Sequence, residues 1–270
     1  MGRPRSTSGG SALPSDEAGS GPAIVLLHAG IADRSMWTEH LEPLAAAGHR
    51  VVALDLPGFG EAKPDLGEQA PWVDVLNAMD ALGIDRAALV GNSFGGAVAL
   101  RVALVAPERV AALALISSPA VQFEPSAQLR AAWDAEEEAL GRGDTEAAVA
   151  AVVEAWTLPD APPQLRDRVA AMQRRIFAVQ AGITEVAEAP DPVEEHPEQL
   201  AELDIPALVA AGEHDMPDFI EGAEQLAAAL PRAQHAVIAG AGHLAPLETP
   251  EAFRALLLGF LGSPPPHPRT

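Results

Sequence analysis

Short apolar runs alternate along the chain with stretches in which the apolar residues follow helical spacing. The apolar runs are four to seven residues long and occupy 23–27, 50–55, 87–90, 110–116, 206–211 and 233–239. Continuous runs of this length are typical of buried parallel strands. Helical spacing fills the intervals at 35–47, 72–82, 94–106, 218–230 and 250–261. The alternation predicts an α/β fold in which helices cover both faces of a mainly parallel sheet of about six strands.

One long stretch interrupts this alternation. Residues 120–203 contain no convincing strand and show helical spacing at 126–141, 145–156 and 162–181. We interpret this stretch as a helical cap inserted into a core formed by residues 21–119 and 204–262. Residues 1–20 and 263–270 are rich in small, polar or proline residues, and such segments bury too little apolar surface to offset their ordering entropy. We therefore predict a disordered tail at each end.

Composition excludes several classes of function. The 270 residues carry a formal net charge of -21, so we expect neither a nucleic-acid partner nor binding to anionic membranes. Cysteine is absent, which rules out disulfides, thiolate catalysis and cysteine-ligated metals. We see no secretory signal and no apolar run of the roughly 20 residues that a membrane span needs, and we expect a cytoplasmic protein.

A candidate nucleophile lies at the end of the third predicted strand. Residues 91–95 read Gly-Asn-Ser-Phe-Gly, the G-x-S-x-G pattern, between a predicted strand and a predicted helix. Flanking glycines are needed because side chains on such a sharp turn would clash with the crossing backbone. The start of the following helix offers backbone N–H groups to a developing oxyanion. We therefore predict that Ser93 is a catalytic nucleophile.

Two later strand ends supply a candidate acid and a candidate base. Asp215 closes Gly-Glu-His-Asp after the fifth strand, and His243 closes Gly-Ala-Gly-His after the sixth. Parallel strands end at one edge of a sheet, and the order serine, aspartate, histidine agrees with the G-x-S-x-G motif. Asp218 is an alternative acid, although it fits a helix N-cap better. Asp55 is a weaker alternative, because it precedes Ser93 in the chain.

Backbone N–H groups near Ser93 are expected to form an oxyanion hole. The N–H of Phe94 is the first expected donor, and the loop after the first strand, which reads His-Ala-Gly-Ile, should supply the second. We choose the N–H of Gly30, with Ile31 as its neighbour. His28 is expected to be a structural hydrogen-bonding residue.

Large apolar residues are the candidates for substrate contact. They are Ile31 in the core and Trp133, Trp156, Met172 and Phe177 in the cap. The alternative is that some of them form the cap's own core. The acidic run 136–138 is interpreted as a solvated helix face. No pair of potential ligands shares a helix face, so we predict no metal, and the expected chemistry needs no cofactor.

Taken together, the motifs resemble the α/β-hydrolase superfamily over about residues 22–261. The residues that carry the resemblance are 28–30, 55–60, 91–96, 212–215 and 240–243. It implies the triad and oxyanion roles given above, and a cap over the pocket. Two features depart from the family pattern: Ala29 replaces the usual glycine, and the two opening strands are not apparent. The sheet would then be reduced to six strands with 50–55 at its edge, or the chain would be a truncated form of a longer one.

Within the superfamily the chain resembles a bacterial branch of esterases, lactonases such as 3-oxoadipate enol-lactonase, and carbon–carbon bond hydrolases. Haloalkane dehalogenases and epoxide hydrolases carry aspartate at the nucleophile position, and Ser93 argues against both. Our main hypothesis is hydrolysis of a small-molecule carboxylic ester or lactone through an acyl-enzyme. The alternatives are carbon–carbon hydrolysis of a vinylogous diketone acid, cofactor-free perhydrolysis or haloperoxidation, and a ligand sensor on the same fold. The oligomeric state is not predicted.

Overall fold

One seven-stranded sheet organises the part of the chain that the computed structural model describes, residues 13–64, 67–121, 124–181, 183 and 187–262. The strands are β1 Ser15–Gly19, β2 Ala23–Leu27, β3 Arg50–Leu54, β4 Ala87–Asn92, β5 Val110–Ile116, β6 Ala207–Gly212 and β7 Ala233–Ile238. Their order in the sheet is β1-β3-β2-β4-β5-β6-β7. All neighbours are parallel except β1, which is antiparallel to β3. The predicted mainly parallel α/β architecture is confirmed.

Ten α-helices lie within the described residues. They are α1 Thr38–Ala46, α2 Pro71–Ala81, α3 Phe94–Val105, α4 Ala127–Gly141, α5 Thr145–Trp156, α6 Pro163–Gln180, α7 Pro192–Glu195, α8 Pro217–Ala229, α9 Ala245–Glu248 and α10 Pro250–Gly262. The helical intervals predicted from the sequence match eight of them closely; α7 and α9, of four residues each, are too short to show helical spacing. None of the ten is both long enough and apolar enough to span a bilayer.

The sheet buries apolar side chains on both of its faces. Along β2, Val25 and Leu27 belong to one core cluster, whereas Ile24 and Leu26 belong to the other. The alternation arises because successive side chains of a strand point to opposite faces. Helices α2, α3 and α8 complete the first cluster, and α1 and α10 contribute to the second. A strand buried on both faces has a continuous apolar sequence, which explains why the pattern predicted it.

The predicted disordered tail at 1–20 is wrong for its last part, because β1 forms one edge of the sheet. The five residues of β1 pair with β3 along its whole length. Two ion pairs add to the ladder: Glu17 binds Arg50 at 2.7 Å, and Asp16 binds Arg34 at 3.2 Å. The predicted edge at 50–55 is therefore covered, and the sheet has seven strands instead of six. The remaining predicted tails, at 1–12 and 263–270, lie outside the described residues.

Two glycines carry the chain from β1 to β2 past the start of β3. Gly19 has a φ of 75° and Gly21 a φ of 117°, in the region that side chains rarely adopt. A Cβ atom on either glycine would also overlap a backbone carbonyl of residues 48–49. The close passage puts β1 on the outer side of β3, where one face and one edge meet solvent. A polar edge strand of this kind has no apolar run by which to recognise it.

Helices α4, α5 and α6 form the predicted cap between β5 and β6. Asp218 of α8 anchors the start of α4. Its carboxylate accepts hydrogen bonds from the N–H and the hydroxyl of Ser126, both at 2.7 Å, and Ser126 is the N-cap of α4. The predicted role of Asp218 as N-cap of its own helix is wrong, because Met216 occupies that position. Arg175 of α6 binds Asp33 at 2.8 Å and provides a second anchor.

The predicted end of the cap at residue 203 lies too far along the chain. Val193 of α7 and Leu200 in the following turn belong to the same core cluster as α3. The guanidinium of Arg101 on α3 binds Asp191, the residue that caps α7. The last part of the insertion thus returns to the core before β6 begins.

Removing β1 should destabilise the protein. Deletion of residues 1–20 exposes the edge of β3 and removes Glu17, which pairs with Arg50, and Asp16, one of the partners of Arg34. We expect the free energy of unfolding to fall by about 2–4 kcal/mol, the net contribution of several hydrogen bonds, as measured by urea denaturation. Deletion of residues 1–12 retains β1 and serves as the control. Equal stability of the two truncated proteins would contradict this assignment.

Candidate active site

Ser93 stands on a strained turn between β4 and α3. Its backbone has a φ of 54° and a ψ of −116°, a conformation that costs a residue other than glycine about 1–3 kcal/mol. The N–H of Ser93 donates to the carbonyl of Ile116 at 2.8 Å, and the Ser93 carbonyl accepts from Ala97 at 3.1 Å. These bonds fix the turn on both sides. Ser93 is half-buried, so it remains accessible from solvent.

Two glycines allow the backbones around this turn to approach closely. A Cβ atom on Gly91 would overlap the backbone of Gly95, and one on Gly95 would overlap the carbonyls of Leu27 and His28. The turn that carries Ser93 therefore lies directly against the end of β2, with no side chain between them. Both glycines belong to the G-x-S-x-G pattern, and their contacts give the physical reason for it.

Asp215 and His243 meet at the ends of β6 and β7. Nδ1 of His243 lies 3.0 Å from Oδ1 and 3.3 Å from Oδ2 of Asp215, and both residues are buried. Oδ1 of Asp215 also accepts the N–H of Met216 at 2.8 Å. A buried carboxylate in this position can hold the imidazole in one tautomer and stabilise its protonated form. The structure thus brings together the predicted acid and base, whereas Asp218 contacts the cap.

Asn92 connects the histidine loop to the nucleophile turn. Its side-chain amide donates to the carbonyls of His243 and Ile116, each at 3.1 Å. Because Asn92 directly precedes Ser93, this bond holds the loop of the candidate base beside the candidate nucleophile. Sequence reasoning missed this role. The available signal was a polar side chain at the end of an otherwise apolar strand.

Two aromatic rings enclose the imidazole of His243. The ring centroid of Trp156, at the end of α5, lies 4.6 Å from it, and that of Phe219 on α8 lies 4.2 Å from it. The tryptophan and phenylalanine rings are themselves 5.8 Å apart. A cap helix therefore packs on the candidate base. Trp156, predicted as a substrate contact, is buried in this cluster and orients His243 from the cap side.

Gly30 and Phe94, the predicted oxyanion donors, lie beside each other at the ends of adjacent strands. A Cβ atom on Gly30 would come within 3.5 Å of the Cβ of Phe94. Gly30 lies in the loop after β2, and Phe94 is the first residue of α3 and directly follows Ser93. Gly30 and its neighbour Ile31 are half-buried, and Ile31 also packs on two apolar clusters.

His28 is confirmed as a structural residue. Its Nε2 accepts the N–H of Leu56 at 3.0 Å, so its Nδ1 carries the proton and donates to the carbonyl of Ala29 at 2.8 Å. Burial lowers the pKa of His28, which keeps the ring neutral. The ring therefore joins the loop after β2 to the loop after β3.

Asp55 is also structural. It is fully buried, accepts the N–H groups of Arg34 and Glu61 at 2.8 Å each, and pairs with the guanidinium of Arg34. These bonds occupy both carboxylate oxygens and leave no role for Asp55 as a triad acid. In the ranges that the structure describes, no group of three or more histidine, aspartate or glutamate side chains is arranged to hold a metal ion.

A cavity of about 830 Å³ opens at the start of α3. Its apolar wall includes Phe59, Phe94 and Phe177, and the rings of Phe59 and Phe94 are 5.7 Å apart. Phe94 follows Ser93 in the chain, whereas Ser93 and His243 themselves are not part of the described wall. Phe177 of α6 is one of the predicted cap residues. The volume and the apolar wall suit a small-molecule ligand.

Two other predicted cap residues do not line this cavity. Met172 is fully buried in the core cluster shared by α6 and the sheet. Trp133 on α4 is 44% exposed and is absent from the described cavity wall. Trp133 therefore has no contact with this cavity, and its role as a substrate contact stays a prediction. Apolar size alone does not determine which face of a cap helix points inward.

Charged side chains form another part of the cavity wall. Glu136 of α4, predicted to be solvated, faces the cavity, and burial raises the pKa of its carboxyl above the usual value. Arg174 of α6 is also in the wall, but its Nε and one terminal nitrogen bind Glu146 at 2.8 and 2.7 Å. The described wall thus contains two carboxylic residues, Asp74 and Glu136, and an arginine that is already paired.

Comparison with known proteins assigns the chain to a family. The sequence model of the alpha/beta hydrolase family matches residues 24–256. The chain belongs to the α/β-hydrolase family. One relative, the 2-hydroxy-6-oxo-6-phenylhexa-2,4-dienoate hydrolase of Burkholderia cepacia, is 31% identical over 260 residues, which cover 92% of this chain and 90% of the relative.

Solved structures of other hydrolases have the same fold as this α/β hydrolase. A thermophilic esterase from Thermogutta terrifontis is 28% identical with a TM-score of 0.76, and the match covers 92% of each chain. An enol-lactonase from Burkholderia xenovorans is 26% identical with a TM-score of 0.77, and the match covers 93% of this chain and 96% of the lactonase. The three relatives are named for different substrates, so family membership indicates a hydrolytic enzyme without selecting its substrate.

Proposed function

We propose that this α/β hydrolase is a serine hydrolase that cleaves small, uncharged carboxylic esters or lactones. The observation that carries the proposal is the junction at Asn92. Ser93 follows this residue on a strained, accessible turn, and the Asn92 side chain binds the loop of His243. His243 in turn contacts Asp215 at 3.0 Å. A candidate nucleophile, base and acid that are linked in this way support acyl transfer.

In the proposed reaction, His243 takes the proton of the Ser93 hydroxyl as Oγ attacks the substrate carbonyl carbon. The tetrahedral oxyanion accepts hydrogen bonds from the N–H groups of Gly30 and Phe94. Collapse breaks the ester C–O bond, the leaving alcohol takes the proton from His243, and an acyl-serine remains. Water then attacks the acyl group as His243 takes its proton; the acyl–serine bond breaks, Ser93 Oγ takes that proton back from His243, and the carboxylic acid leaves. A lactone gives the alcohol and the acid as two ends of one product.

The charges of the cavity support an uncharged substrate over a carboxylate. The Burkholderia cepacia relative is named for a dienoate, which is an anion. In this chain the guanidinium of Arg174 is already paired with Glu146, and Glu136 has no ion-pair partner among the described residues. A substrate carboxylate would meet Glu136 in a partly desolvated cavity of a protein with a net charge of -21. Carbon–carbon hydrolysis of a diketone acid is therefore the less favoured reaction.

Replacing Ser93 with alanine should abolish hydrolysis of p-nitrophenyl butyrate and labelling by a fluorophosphonate. Loss of a triad nucleophile costs on the order of 10⁶ in kcat. Ser117→Ala is a matched control, because Ser117 is also a serine with positive φ, at 48°, but follows β5. It should retain activity within about tenfold. Ester hydrolysis by Ser93→Ala at a similar level would refute the proposed nucleophile.

Replacing the proposed acid should lower turnover without unfolding the protein. Asp215→Asn favours the wrong tautomer of His243 and should reduce kcat for the same ester by about 10⁴. Asp218→Asn should keep kcat within about tenfold but lower the melting temperature, because its carboxylate anchors the N-terminus of α4. The opposite ranking of the two kcat values would identify Asp218 as the acid.

The charge of the acyl group should control specificity. We expect kcat/KM for p-nitrophenyl butyrate to exceed that for the mono-p-nitrophenyl ester of succinate by at least about tenfold, the effect of 1.4 kcal/mol of repulsion. Glu136→Gln should narrow this ratio, whereas Glu137→Gln, on the exposed side of α4, should leave it unchanged. Equal kcat/KM values for the two esters in the wild-type enzyme would contradict the preference for uncharged substrates.

A further inference from the structure

Glu248, at the end of α9, joins a nearby loop to a segment that lies 90 residues before it in the chain. Its Oε2 accepts the N–H of Gly242 at 2.7 Å, and its Oε1 accepts the N–H of Leu158 at 3.2 Å. Gly242 directly precedes His243, whereas Leu158 follows the end of the cap helix α5. Each oxygen of one partly buried carboxylate therefore accepts one backbone donor, one from the histidine loop and one from the cap.

The packing around this carboxylate is tight. A Cβ atom on Gly242 would lie 3.3 Å from both oxygens of Glu248 and 3.0 Å from Cδ2 of Leu158. That distance is short for a carbon contact, so a side chain at position 242 would force the three groups apart. The histidine loop, α9 and the chain after α5 therefore have little freedom to shift relative to one another.

The two segments that Glu248 joins also carry two of the three packed rings. Trp156 lies two residues before Leu158, and its ring centroid is 4.6 Å from that of His243. We propose that Glu248 is a positioning residue that fixes the orientation of His243 and couples it to the seating of the cap. This inference rests on the proposed role of His243 as the base. No contact between Glu248 and substrate is required.

The charge of Glu248 has a second effect on the histidine. Two carboxyl groups act on His243: Asp215, on the loop after β6, contacts its Nδ1, and Glu248 on α9 interacts with it electrostatically. The other elements packed on the ring, α5 and α8, present Trp156 and Phe219. Two carboxylates thus stabilise the imidazolium that forms during each acyl transfer. Removing one of them should make the protonated ring less stable.

Two substitutions separate the geometric effect from the charge effect. Glu248→Gln keeps the length of the side chain but removes the charge and turns an N–H₂ group toward one backbone donor. Glu248→Asp keeps the charge but is too short to reach both donors. Glu213→Gln is the matched control, because Oε2 of Glu213 accepts the N–H of Gly240 in the same loop at 2.9 Å. Glu213 makes this bond without linking the loop to the cap.

We expect both Glu248 variants to lower kcat for p-nitrophenyl butyrate by about 10²-fold with little change in KM, as a misplaced base would. In Glu248→Gln, the acid limb of the rate of fluorophosphonate labelling should also move to lower pH by about one unit. In Glu248→Asp the limb should stay in place. Glu213→Gln should change kcat by less than about threefold and leave the limb unchanged.

A purely structural role would lower the melting temperature of the Glu248 variants and leave kcat and the acid limb of the folded enzyme as in the wild type. That result would overturn the inference, as would an equal loss in Glu213→Gln. If Glu248→Gln does not fold, the kcat of Glu248→Asp decides the question. Ser93→Ala is tested in parallel. If it loses fluorophosphonate labelling, the proposed function stands and only the inference about Glu248 has failed.

Discussion

Backbone packs directly on backbone where the turn of Ser93 crosses the end of β2. Neither Gly91 nor Gly95 has room for a Cβ atom, so main-chain contact alone sets the spacing between the two loops. Gly30 and Phe94, whose N–H groups are the donors in the proposed reaction, follow the two strands that meet at this contact. Donors fixed in advance need no reorganisation when charge develops on an oxygen. The strained φ of Ser93 persists because the surrounding chain leaves it no alternative.

The same turn positions the rest of the candidate site through one amide. Asn92 emerges from β4 next to the strained serine and binds the carbonyl of His243, so the histidine loop cannot move away from the nucleophile without losing a buried hydrogen bond. Asp215 then holds the imidazole from the end of β6. The geometry of the site therefore follows from the ends of β4, β6 and β7, which are rigid elements of the sheet.

The parts of the fold that the sequence predicted are those in which burial repeats with a regular period. Strands buried on both faces give continuous apolar runs, and Ser93, Asp215 and His243 were chosen as candidates because they follow such runs. β1 was missed because its stability depends on backbone pairing and on Arg34 and Arg50, which lie far along the chain. The sequence also did not show that Glu136 faces the cavity and Trp133 does not, for a related reason. The rotation of a cap helix about its axis is set by its neighbours, and spacing within the helix does not report it.

The contacts that attach the cap include an apolar contact and ion pairs, and these two kinds respond differently to salt. At the end of α5, the ring of Trp156 packs on His243, and this apolar contact is insensitive to salt. On α6, Arg175 and Arg168 bind Asp33 and Glu39 of the core, and the exposed Arg168 pair is weakened by screening. The described cavity wall includes residues of α4 and α6 and Thr145 at the start of α5, but not Trp156 at its end. A shift of α6 at its ion pairs would therefore reshape the cavity while the Trp156 contact keeps the candidate base in place.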